Sequence, residues 1–199
     1  RWNTTVAENR QPYFTEWGAS FGPFLKNFPV LFWLFFVGSV VLFRNMLNKI
    51  KKKDAWVLTS LYVLFFFGLV FSRYSGGSLF NGDNFVSKLF YYASALLLIG
   101  GLVYYYTRYN REGERGFEKI RFEYLFLFSL LALTLFTARS AVRLIMVLAP
   151  VAPIFVGYLN VFCFEKFRRT KDETLKVVFG VCVILILILS LFIFWNYYN

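Results

Sequence analysis

The sequence predicts an all-α chain: a polytopic integral membrane helical bundle of about six transmembrane helices, preceded by an external loop. Three observations lead there. The chain is 58% hydrophobic and 23% aromatic, with a mean hydropathy of +0.55, well beyond what a soluble domain carries. Apolar runs recur at lengths near the ~20 residues that a helix needs to cross a hydrocarbon core of ~30 Å. Runs such as FWLFFVGSVVLF and VCVILILILSLFIF are apolar on every side, whereas a strand of a membrane barrel alternates polar and apolar positions.

Taken in order, residues 1–23, RWNTTVAENRQPYFTEWGASFGP, form the external loop. They are too polar to span, and Trp2, Tyr13, Phe14 and Trp17 suit the headgroup level. Six spans follow at 24–43, 55–72, 89–106, 122–138, 144–164 and 177–195. The charged link Lys49-Ile50-Lys51-Lys52-Lys53-Asp54 separates the first two, and turn residues at Tyr74-Ser75-Gly76-Gly77-Ser78 and Asn81-Gly82-Asp83-Asn84 separate the next two. Pro150 and Pro153 should bend the fifth span. Residues 197–199 read as the start of an external C-terminal domain. Arg1-Trp2-Asn3 matches no targeting segment and no Met opens the chain, so the sequence reads as a piece of something longer.

Lysine and arginine total 22 against 11 acidic residues, for a net charge of +11. Three loops, 44–54, 107–121 and 165–176, hold most of the basic residues, which assigns those loops to the cytoplasm and the leading loop, the 73–88 loop, the 139–143 turn and the C-terminal end to the outside. The same distribution argues against nucleic acid as a partner, since the basic residues form neither one face nor an arm. Cys163 and Cys182 lack CxxC spacing and read as structural thiols. With no histidine in the chain, histidine-based acid–base chemistry and most zinc sites are excluded.

Two features stand out against this apolar background. Arg139 and Arg143 interrupt TLFTARSAVRLIMVLAP, four apart, so on a helix they would share one face. An arginine at mid-bilayer costs about 2.5–3.5 kcal/mol and less toward an end. The pair snorkels to the outer headgroups, marks the turn between the fourth and fifth spans, or binds an anion, for which the small neighbours Thr137, Ala138, Ser140 and Ala141 leave room. The second feature is TVAENRQP, residues 5–12, where the carboxylate of Glu8 stands in a short polar stretch. Asn3 opens the chain's only Asn-x-Ser/Thr sequence, Asn3-Thr4-Thr5, and is a candidate glycosylation acceptor.

An external VAE followed by QP, and later a span opening in AVRLIMVLAP, resembles the catalytic subunit of oligosaccharyltransferase. The likeness is closest to its archaeal forms and covers the second half of the membrane domain. The family carries TIxE in bacteria and SVSE in eukaryotes, for which Thr5-Val6-Ala7-Glu8 is the match. Eukaryotic forms continue with HQPTTW, comparable to Asn9-Arg10-Gln11-Pro12 and Trp17, and contain MVRLMLTLTP, which aligns with residues 141–150.

The resemblance implies transfer of an oligosaccharide from a lipid (dolichyl) pyrophosphate or phosphate carrier to asparagine in Asn-x-Ser/Thr sequons of an acceptor polypeptide. An amide nitrogen is a poor nucleophile, so carboxylates must engage its hydrogens and a divalent cation must organise them. Glu8 would be that catalytic carboxylate and a ligand to Mn2+ or Mg2+. Arg143, with Arg139, would bind the lipid pyrophosphate, for which a planar cation with paired donors is suited. Two departures are plain. Eukaryotic forms have four spans between these landmarks and the external domain, so residues 55–106 read as an inserted pair. The family's other acidic residues and its WWDxG motif fall outside this sequence. Two other readings share the membrane architecture: a non-enzymatic polytopic protein such as a transporter or lipid-flipping segment, and a different polyprenyl-sugar-dependent glycosyltransferase.

Overall fold

The structure, a computed structural model, describes residues 10–20 and 29–198. These residues are all-α, and the only β pairing among them is one isolated bridge between Arg73 and Asn81. A short helix α1 (Phe14–Ser20) is followed by α2 (Val30–Met46), α3 (Lys52–Phe71), α4 (Phe85–Arg111) and α5 (Phe122–Ser140). A 3-10 turn (Val142–Leu144) then leads into α6 (Ile145–Leu148), α7 (Ala152–Arg169) and α8 (Glu173–Tyr198).

Among the described residues four helices, α3, α4, α5 and α8, are long and apolar enough to cross a membrane, or five if the bent pair formed by residues 142–148 and α7 counts as one span. The remaining expected span falls on α2, an apolar helix of 17 residues. The early part of the 24–43 segment lies outside the described residues. The bent pair turns through 40° where Pro150 withholds a backbone N–H and Pro153 stands in the first turn of α7.

In lipid, apolar side chains gain little by hiding from their surroundings, so helices are held by close packing and hydrogen bonds. α2 and α7 approach so tightly that a Cβ on Gly38 would overlap the Phe155 carbonyl, and a Cβ on Gly68 of α3 would overlap the Ser94 hydroxyl of α4. Around these contacts the phenylalanines interlock. Phe35 meets Phe155 edge-on at 5.7 Å, and Phe43 stacks on Tyr62 at 4.5 Å with Phe128 edge-on to both. Three buried hydroxyls are satisfied within their own helices: Ser39 donates to the Phe36 carbonyl, Thr59 to Ala55 and Thr134 to Leu130.

The two ends of the bundle are polar and tied. At one end the buried Tyr109 hydroxyl donates to Asp54 Oδ2 at 2.9 Å and accepts from the Lys51 backbone N–H at 2.9 Å, clamping α4 to the start of α3. Lys51 Nζ pairs with Glu114 at 2.7 Å, and Arg108 with Glu112 at 2.8 Å. The hydrogen bond from Arg108 holds the Glu112 carboxyl below its ordinary value. Its small, solvent-screened contribution is therefore present above the usual carboxylate range and lost as pH falls through it. The opposite end gathers residues 10–20, the 72–84 turn and the end of α5, and is the candidate site.

The glycine contact yields a paired expectation. Gly38→Ala should lower the unfolding temperature of the detergent-solubilised protein, at a cost of about 1–3 kcal/mol for forcing apart two packed backbones. Gly157→Ala, where nothing lies within 4 Å of the added carbon, should be neutral or slightly stabilising through helix propensity. Equal melting of the two variants would show that the α2–α7 approach carries no weight.

Candidate functional site

Local sequence chemistry builds the walls. The 73–84 turn folds back on itself through Tyr74 N–H to the Phe80 carbonyl at 2.7 Å. Asn81 Oδ1 accepts from the Asp83 and Asn84 N–H groups, and Asn84 caps α4 by accepting from Ser87 N–H at 2.8 Å. Gly82 takes φ +88°, and a Cβ there would run into the Arg73 side chain, so glycine is required both for the turn and for the arginine beneath it. Tyr13 lies between two guanidinium groups, with Arg10 Cζ at 5.1 Å and Arg73 Cζ at 4.8 Å from its ring centre. The Phe14 N–H bonds the Arg73 carbonyl at 2.9 Å.

Arg139 is the hub. Although it ends an apolar helix, it is only 8% exposed. Its Nη1 donates to Gln11 Oε1 at 2.9 Å, its Nη2 reaches Ser72 Oγ at 3.4 Å, and its Cζ sits 5.5 Å from the Tyr91 ring centre. Beside it, Arg73 is also 8% exposed and pairs with Asp83 at 3.3 Å. A cavity of about 440 Å³ opens between these residues, lined among others by Gln11, Arg73, Lys88, Tyr91 and Arg139.

Arg143 is placed differently from expectation. It is exposed and does not share a helical face with Arg139. The reason is backbone geometry: Ala141 is extended at φ −153° and ψ 148°, and the Val142 N–H bonds the Arg10 carbonyl at 3.0 Å instead of continuing α5. Arg143 then stands in the 3-10 turn on the outside of this junction, apart from the cavity. Glu8 and Asn3 lie outside the described residues. Among the described residues no group of three or more His, Cys, Asp or Glu side chains could hold a metal ion. The described residues thus supply no metal-holding cluster of their own, and Glu8, the ligand expected from the sequence, lies outside them.

Sequence reasoning missed Arg73 and Lys88. Both look like ordinary charges in a turn, and the signal that could have found Arg73 is its position at the end of an apolar run, ahead of a turn whose Gly82 leaves room for its side chain. Gln11→Leu should destabilise the fold by about 1–3 kcal/mol, because it removes the acceptor of a buried guanidinium, whereas Arg143→Gln, on the surface, should stay within about 0.5 kcal/mol. Chemical unfolding of the two variants side by side checks this, and a larger loss at Arg143 would reverse the assignment of the hub. Compared with family models, curated proteins and solved structures, the chain matches none.

Proposed function

We propose that this chain is part of a multi-pass membrane glycosyltransferase that moves an oligosaccharide from a lipid pyrophosphate or phosphate carrier to asparagine in Asn-x-Ser/Thr sequons. One observation carries the reading. The two sequence landmarks of the resemblance, NRQP and AVRLIMVLAP, lie more than a hundred residues apart and meet through Val142 N–H to the Arg10 carbonyl at 3.0 Å, and Arg139, two residues before the second landmark, donates from Nη1 to Gln11 Oε1 of the first at 2.9 Å. A transferase of this kind needs that meeting, since the carboxylate that engages the acceptor amide and the cation that engages the leaving phosphate act on one reacting centre.

In this reading the bundle end that carries residues 10–20 faces outward, as the lysine and arginine distribution predicts. Glu8, two residues before Arg10, engages the hydrogens of the acceptor amide; with carboxylates from elsewhere in the protein it would hold Mn2+ or Mg2+, which would supply electrostatic organisation there. Arg143 is exposed beside the junction and free to meet the carrier's phosphates with two parallel N–H groups. Arg139 positions the leading segment through Gln11.

The deciding assay is glycan transfer from a lipid-linked donor to an Asn-x-Thr peptide by the full-length protein. Glu8→Gln should lower the rate by orders of magnitude while leaving stability within about 0.5 kcal/mol. Arg143→Lys should lower it about 30- to 1000-fold, because lysine keeps the charge and loses the paired geometry. Wild-type rates in both would remove the proposal. The 40° break before α7 also suits a transporter, whose sites form at discontinuous helices. Substrate uptake into vesicles without glycan transfer would favour that reading instead.

A further inference from the structure

The cavity beside Arg139 is more cationic than holding the leading segment requires. Its lining brings together Arg73, Arg139 and Lys88 with Asp83 as the sole carboxylate among the described residues, and the Asp83 side chain is 76% exposed, so it neutralises little. Both arginines are more than nine-tenths buried, and the Nε of each has no hydrogen-bond partner among the described residues. Buried donors on two neighbouring like charges are costly unless an anion meets them. The N-terminus of α4 adds its partial positive charge to the same wall through Gly82, Asp83 and Ser87.

The shape of α4 indicates what carries the anion. Lys88, at the cavity mouth, is exposed, and Tyr92, Leu96, Ile99 and Val103 follow it at helical spacing, each more than half exposed. A cation at the head of a continuous apolar stripe, next to a guanidinium-lined cavity at the polar end of a bundle, matches an amphiphile with its charge at the headgroup level and its chains alongside the helix. We propose that this cavity binds the phosphodiester headgroup of an anionic membrane lipid, its phosphate between Arg73 and Arg139 and beside Lys88, its chains along the Tyr92–Val103 stripe. The site is separate from the exposed Arg143 and does not depend on the transfer chemistry.

The test uses the full-length protein, stripped of lipid in neutral detergent and titrated with phosphatidylglycerol, phosphatidylcholine or inorganic phosphate, with bound lipid counted by native mass spectrometry. Wild-type protein should bind phosphatidylglycerol at least tenfold more tightly than phosphatidylcholine, which carries the same phosphate but no net charge. Lys88→Met, an exposed substitution that spares the fold, should erase most of that preference, and Arg73→Met should do so as well wherever it remains folded. Glu8→Gln should bind phosphatidylglycerol as wild type does, which separates this site from the proposed transferase reaction. Equal affinity for the two lipids, or an unchanged preference in Lys88→Met, overturns the proposal. Displacement of the lipid by inorganic phosphate at low millimolar concentration overturns the lipid assignment in favour of a free anion.

Discussion

A guanidinium buried at the end of an apolar helix must be met by acceptors from other segments, and at Arg139 that requirement organises one whole end of the molecule. Gln11 comes from the leading segment, Ser72 from the end of α3 and the Tyr91 ring from α4. Three stretches distant in sequence are thereby fixed around one side chain. The backbone follows the same logic. Val142 bonds to the Arg10 carbonyl, which stops α5, extends Ala141 and turns Arg143 outward.

The opposite end is closed by a different device with the same physics. Tyr109 is buried, and its hydroxyl serves as donor to Asp54 and acceptor for the Lys51 N–H, so a single side chain fastens the α3–α4 pair at its far end while the capped 73–84 turn fastens it at the near end. Between the two, where lipid offers no hydrophobic incentive for helices to associate, glycines admit close backbone approach and phenylalanines fill the remaining space. Polar ends and a tightly packed apolar middle are what a bilayer demands of any bundle that keeps charged groups out of its centre.

The proposed division of labour follows from exposure. Arg143, free at the surface, suits a ligand that arrives, reacts and leaves. Arg73 and Arg139, enclosed beneath the Gly82 turn, suit a resident one. Were the helix to continue through Ala141, both α5-end arginines would fall on one face and that distinction would vanish.

Helix and membrane character were legible from composition and from the apolar runs, because both are local properties that neighbouring residues express without help from the rest of the chain. The turns were equally legible, since Asn81, Gly82 and Asn84 carry their conformational preferences with them. The helix-end position of Arg139 and the break near Pro150 could likewise be anticipated from spacing. What spacing could not reveal is that residues 139 and 143 part company, that Gln11 is an arginine's acceptor, or that Arg73 is buried. Each depends on which distant backbone group or side chain arrives at that end of the bundle, and a carbonyl from Arg10 outcompetes the next turn of a helix only when tertiary packing delivers it there.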